Sequence, residues 1–195
     1  MSHTPTIAVV NQKGGVGKSF IADEIAFHCE REGIVYGFFD LDDQGGTYHT
    51  SAGASEDEAE VRIVDTPGAL KANLRFVLEE SDVVVVPVRP SERGVPASER
   101  GVPASEHMLE LVERVAKDAV HIVVVNCWNR FVSASQFAAH EREWAGRGWR
   151  VFHIPQAELV SRAEAVRRSV VELDRRARVS KAVGELCAAV VEEVI

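Results

Sequence analysis

An apolar run, Thr6–Val10, leads within two residues into Gln12–Ser19, QKGGVGKS. The chain then takes up a helical repeat in which Ile21, Ala22, Ile25, Ala26 and Cys29 share one face. A strand, a glycine-rich turn and a helix in immediate succession constrain the fold more than any other feature of these 195 residues. Without a Cβ, Gly14, Gly15 and Gly17 let the backbone turn tightly and aim its N–H groups inward. Those groups and the N-terminus of the following helix make an anion cradle. The general phosphate-loop pattern asks for Gly, four residues, then Gly-Lys-[Ser/Thr]. Gly17, Lys18 and Ser19 satisfy its end, but Gln12 stands where the first Gly belongs, and a second lysine, Lys13, lies inside the loop. Lys18 is expected at the β- and γ-phosphates of a nucleotide and the Ser19 hydroxyl on Mg²⁺. Gly14, Gly15, Val16, Gly17 and Phe20 complete the expected contact run.

The chain length fits a single domain over 1–195 with ample material for a core. A net charge of −8 excludes a generally basic nucleic-acid binder, so any DNA contact needs a local patch. Cys29, Cys127 and Cys187 are far apart and odd in number, which matches neither a zinc spacing nor a disulfide framework and fits a reducing, cytoplasmic setting. No signal peptide is expected before Thr6, and no apolar run approaches the ~18 residues of a membrane span.

Strand candidates are Thr6–Asn11, Val35–Asp40, Val61–Asp65, Val83–Val88, Val120–Asn126 and Val151–Ile154. Several are continuously apolar, as in parallel strands covered on both faces. Helical patterns alternate with them: Ser19–Glu32, Leu70–Glu80, Ala104–Lys117, Ser133–Ala145, Glu158–Val170 and Val179–Val194. The expectation is a three-layer α/β domain, a mostly parallel sheet with helices on both faces. Ser91–Ala97 reads SERGVPA and Ser98–Ala104 repeats it; its prolines and glycines predict a loop over 91–104, either a tolerated surface insertion or a partner-contact loop.

The second strand ends in Asp40-Leu41-Asp42-Asp43-Gln44 and the third in Asp65-Thr66-Pro67-Gly68. Ligands of open parallel sheets sit beyond the carboxyl ends of the strands, so both clusters should face the glycine loop. Asp65 is the expected Mg²⁺-side acid, Thr66–Gly68 a sensor of the γ-phosphate, and Asp40 or Asp42 the group that positions the attacking water.

Taken together, KGGVGKS, DLDDQ, IVDTPG and SDVVVVPVRPS resemble the ParA/MinD group of deviant Walker-type ATPases, over a span from Thr6 almost to the C-terminus. The chain looks most like the short ParA plasmid and chromosome partition proteins, because only five residues precede the first strand and no N-terminal helix-turn-helix domain is expected. The resemblance implies an ATP- and Mg²⁺-dependent hydrolase that forms a sandwich homodimer on binding ATP. In it, Lys13 reaches the phosphates of the other subunit and Lys18 serves its own. Asp40 orients the hydrolytic water, Asp42 supports the metal's water shell, and Ser19 and Asp65 place Mg²⁺. Asn126 matches an adenine-reading asparagine, and Pro155 lies where relatives line the base pocket. Two departures stand out. Asp43 replaces the proline of the family's D-x-D-P-Q motif, and only Gly45–Glu60 separates Gln44 from the third strand, where relatives often have a longer excursion.

Arg162, Arg167, Arg168, Arg175, Arg176, Arg178 and Lys181 give the C-terminal quarter a basic bias. The resemblance implies non-specific DNA as their ligand, with Arg162, Arg167, Arg168 and Arg175 as the expected contacts, a ParB-like centromere-binding protein as partner, and a nucleoid-associated location. The plainer alternative is a solvated helix face with intrahelical ion pairs. The ending LCAAVVEEVI has no basic residue after Lys181 and argues against a membrane helix of the MinD type. The alternative is a metabolic or maturation ATPase of the same superfamily that acts on a small molecule or protein without DNA; a third is a scaffold that binds nucleotide and hardly hydrolyses it.

Overall fold

The computed structural model describes residues 3–41, 47–49, 58–67, 73–89, 102–129 and 133–195, with the backbone alone for 102–104 and 133–136. The element order is β1 (Thr6–Val9), α1 (Lys18–Glu32), β2 (Tyr36–Asp40), β3 (Val61–Asp65), α2 (Leu74–Glu79), β4 (Val83–Val88), α3 (Val102–Val115), β5 (Val120–Trp128), α4 (Ser133–Gly146), β6 (Arg150–Pro155), α5 (Glu158–Val166), α6 (Val170–Leu173) and α7 (Arg178–Val191). The six strands form one sheet in the order β2-β3-β1-β4-β5-β6, and every neighbouring pair is parallel.

The continuously apolar strands have a direct cause. Ile7, Val9, Val83, Val85, Ile122 and Val124 point into one core with α1 and α7, while Ala8, Val10, Val84, Val86, Val123 and Val125 point into a second core with α3 and the tryptophans Trp144 and Trp149. Successive side chains of a strand face opposite sides, so a strand covered on both must be apolar at every position. The chain leaves β1 to build β2 and β3 on one side and β4 to β6 on the other. The crevice at the carboxyl end of β1 is therefore the topological switch point, where ligands of such sheets bind.

Most expected elements appear, and the differences are physical. β1 ends at Val9, with Val10 N still donating to the Val85 carbonyl at 2.9 Å, and beyond it the buried Asn11 side chain donates to the Pro87 carbonyl at 2.7 Å. β5 runs on to Trp128 through a bulge at Cys127, whose φ is 57°. α3 begins at Val102, so the end of the second heptapeptide is helix rather than the expected loop. Pro103 falls in the first turn, where its missing N–H breaks no bond. The rest of the repeat, 91–101, lies outside the described residues, as does the start of the expected Leu70–Glu80 helix.

The expected helix Glu158–Val170 is broken in two. It ends at Val166, Arg167 takes a left-handed conformation (φ 54°), and the N–H groups of Arg167 and Arg168 close onto Glu164 and Ala163. Ser169 then caps α6, accepting from Val171 N at 3.0 Å. The break is pinned from α1: the buried Glu24 carboxylate accepts from Ser169 Oγ at 2.6 Å and from Val170 N at 2.8 Å. Burial raises the Glu24 pKa, and those two hydrogen bonds partly offset it. Glu24→Ala would leave two buried donors without an acceptor, and is expected to destabilise the domain by about 1–3 kcal/mol in urea denaturation.

Candidate nucleotide site

The glycine loop between β1 and α1 is braced from three sides. Asn11, which donates to the end of β4, accepts from the Lys13 backbone N–H at 2.9 Å and so fixes the loop entrance. Asn126, carried forward by the β5 bulge, donates to the Val16 carbonyl at 2.9 Å. Arg89, just past β4, reaches the Gly15 carbonyl at 3.4 Å. Gly17 has φ 93°, and a Cβ there would lie 2.1 Å from Asn126 Nδ2. Its lack of a side chain is thus demanded by backbone conformation and by contact at once. Lys18 is buried, with Nζ 3.5 Å from the Lys13 carbonyl, while Lys13 is half-buried and Gly14 and Gly15 are exposed. Val16 is buried beneath the loop and Phe20 half-buried on the first turn of α1.

The carboxylates come to this loop through the ladder. Val9, Asp65 and Asp40 are in register across β1, β3 and β2. Ser19 Oγ donates to Asp65 Oδ2 at 2.7 Å. The other oxygen, Asp65 Oδ1, is buried without a hydrogen-bond partner among the described residues. Burial pushes the Asp65 carboxyl up to about 6; the Asp40 charge adds to the rise, and the Ser19 bond and Lys18 oppose it. A hydroxyl and a carboxylate with one unsatisfied buried oxygen are hard donors suited to Mg²⁺. Thr66 donates from both N and Oγ1 to the Val9 carbonyl, at 3.2 and 2.9 Å, and so ties β3 to the loop strand.

A cavity of about 460 Å³ adjoins the loop, lined by Gly15, Gly17, Phe20, Arg89, Asn126 and Pro155 among others. Asn126 and Pro155 thus both reach it, although Asn126 uses its amide on Val16 and Cys127 rather than pointing it into the open space. Asp42, Asp43 and Gly68 lie outside the described residues. Arg162, Arg167, Arg168 and Arg175 are all exposed; Arg168 pairs with Glu172 at 3.1 Å, Arg167 lies over the Tyr48 ring, and both border a cavity that Ser19, Phe20 and Thr47 also line. Sequence reasoning passed over Asn11, Thr47 and Arg89. Asn11 and Arg89 stand just past strand ends, a positional signal that could have flagged them. Among the described residues no group of His, Cys, Asp and Glu forms a metal cluster, and no helix is long and apolar enough to cross a membrane.

A parallel sheet with a braced glycine loop at its switch point, and a serine and aspartate beside it, defines a P-loop nucleotide-binding domain. The chain belongs to the CobQ/CobB/MinD/ParA nucleotide-binding domain family, whose sequence profile matches residues 7–170. Its fold is that of an ATP complex of a Cyanothece McdA variant (TM-score 0.74, 16% identity, 98% of both chains). It is also that of the Pyrococcus horikoshii septum site-determining protein MinD with Mg-ADP (0.69, 12%, 95% of both chains). A Borrelia burgdorferi putative plasmid partition protein bound to AMPPNP is similar as well (0.68, 15%, 98% of this chain and 100% of that one). A sequence search of curated proteins gave no match.

Two outcomes follow from this geometry. Gly17→Ala should abolish nucleotide binding in a fluorescent-nucleotide titration, since it strains φ and collides with Asn126. The second concerns pH. The folded protein holds the Asp65 proton more tightly than the unfolded chain, whose ordinary value is 3.8, so this group's contribution to stability is full below that value and lost as pH rises through about 6. Without metal, Asp65→Asn should therefore be more stable than wild type at pH 8, on the order of 1–3 kcal/mol, with the gap closing toward pH 4. Only wild type should then gain stability from Mg²⁺ with nucleotide, read as a thermal shift.

Proposed function

We propose that the chain is a partition ATPase of the ParA kind, a nucleotide-timed switch that holds DNA in its ATP state. The supporting observation is the joint placement of Lys13, Lys18, Ser19, Asp65 and Asp40 around one loop, with exposed arginines on α5 and the connections that follow it. The site suits ATP and Mg²⁺. Lys18 and the loop N–H groups bind the β- and γ-phosphates. Ser19 and Asp65 would hold Mg²⁺, which when bound neutralises phosphate charge. Asp40 orients the water for attack, with Asp42 beside it as the family pattern implies. Thr66 to Gly68 register the γ-phosphate through the β3–loop tie. Asn126 and Pro155 border the space for the base, where Asn126 keeps the loop in shape as well.

Lys13 is the residue that makes this a dimer switch. It stands at the loop mouth, only half-buried, and its backbone N–H is fixed by Asn11. Its ammonium would serve a phosphate of a second copy docked face to face. The γ-phosphate then contributes contacts that exist only in the dimer, so ATP and ADP favour different assemblies. The dimer doubles the set Arg162, Arg167, Arg168 and Arg175, which suits duplex phosphates without sequence preference. A centromere-binding protein of the ParB type fits as the stimulator of hydrolysis, and a nucleoid-associated, cytoplasmic location follows from the DNA state.

The deciding experiment is binding to random-sequence duplex DNA with ATP, ADP or no nucleotide across a salt series. Binding should require ATP and weaken steeply with salt. Lys13→Ala should keep ATP affinity but lose both the dimer in analytical ultracentrifugation and the DNA. Absence of DNA binding in every nucleotide state at low salt would remove this reading in favour of a superfamily ATPase that acts on a small molecule or protein.

A further inference from the structure

Asp40 is the last residue of β2 and partly exposed, so its strand alone does not fix its carboxylate. Thr47 reaches back to it: Thr47 Oγ1 donates to Asp40 Oδ2 at 2.6 Å. The residues after Thr47 are themselves anchored on α1. The Tyr48 N–H donates to both oxygens of Asp23, at 3.0 and 2.9 Å, and the His49 N–H to Oδ1 at 3.1 Å. His49 Nδ1 lies 2.7 Å from the same oxygen. The His49 ring is buried against Phe27 (centroids 4.4 Å apart) and Phe38 (5.7 Å), and Arg167 lies 5.9 Å over the outer face of Tyr48. Asp23 is one helical turn from Ser19. The strap Thr47–His49 is thus fastened to the helix that begins at the phosphate loop.

We propose that Thr47 is a positioning residue for hydrolysis: its hydroxyl holds the Asp40 carboxylate in the orientation that aligns the attacking water, and the Asp23-anchored strap fixes Thr47 relative to the loop. The proposal rests on the reading of Asp40 as the water-orienting group. A hydrogen bond from a hydroxyl to a carboxylate is charge-assisted and short, and so restricts rotation of the acid. The alignment of water with the phosphorus is sensitive to this, because displacements near 1 Å cost about a hundredfold in rate. Three strap donors, the Tyr48 N–H, the His49 N–H and His49 Nδ1, converge on Asp23, and aromatic rings close around the His49 side chain.

The test compares Thr47→Val, which keeps the shape and removes the donor, with Thr47→Ser, which restores it. Thr47→Val should lower kcat about tenfold or more while the ATP dissociation constant stays within about twofold, and Thr47→Ser should recover most of the rate. In an Asp40→Ala background Thr47→Val should add nothing. A readout independent of turnover is the carboxyl ¹³C resonance of Asp40 in the nucleotide-free protein, assigned through Asp40→Asn. It should move in Thr47→Val and stay in place in Thr47→Ser. Wild-type or raised kcat in Thr47→Val, or an unmoved Asp40 resonance, would overturn the proposal while leaving the role of Asp40 standing. Normal turnover in Asp40→Ala would instead overturn the underlying reading of the site, and with it this inference.

Discussion

Three parallel strands end together, and the site depends on that. Val9, Asp65 and Asp40 are register partners across β1, β3 and β2, so the phosphate loop and both acids emerge at one edge of the sheet. Parallel pairing forces this convergence, because every strand then presents its carboxyl end on the same side. The consequence is electrostatic. Asp65 is driven into a buried position beside another acid, with one oxygen satisfied by Ser19 and the other unsatisfied. A fold would not retain such an arrangement for stability, since the charged form is disfavoured there. It suits a site in which a cation completes the shell.

The loop itself is flexible in composition but held by three side chains, its own Asn11 and two from the ends of β4 and β5. Asn11 ties its entrance to β4, Asn126 its crest to β5, and Arg89 its outer carbonyl to the β4 end. Gly17 is the point at which these holds meet the backbone, because the approach of Asn126 leaves no room for a Cβ. Behind the loop, α1 is the element most widely connected: its apolar face fills one core, Glu24 fixes the α5–α6 break, and Asp23 fixes the strap that reaches Asp40. Motion of α1 against the sheet would therefore be felt at the arginine-bearing segment and near the acid together. Arg167 over Tyr48 brings those two regions into contact.

Much of this was legible before any coordinates. The strands were, because a sheet covered on both faces requires uninterrupted apolar residues, and Val83–Val88 and Val61–Asp65 appear with the bounds their patterns predict. The loop was legible because glycine spacing and a terminal Lys-Ser encode local geometry. Glu158–Val170 was misread as one helix, since its apolar spacing continues through Arg167. The break there is set by a carboxylate on α1, 145 residues away in sequence. Asn126 was read as a base contact, and its loop-bracing bond depends on a bulge at Cys127 that no local pattern announces. Thr47 carried no motif at all. Its place beside Asp40 follows from the anchoring of Tyr48 and His49 on Asp23.

The sequence by itself therefore determined the strand–loop–helix unit, the layered parallel architecture and the family, because each rests on short-range spacing: glycines for a turn, a 3.6-residue repeat for helices, apolar runs for buried strands. Tertiary structure decided which acid is buried, where a helix ends and which side chains brace the loop. Those outcomes depend on desolvation and on hydrogen bonds between residues far apart in the chain, and neither has a local signature. Asp40 and Asp65 look alike in sequence, each an aspartate closing an apolar strand. Only the packing makes one a half-exposed group held by Thr47 and the other a buried group beside Ser19.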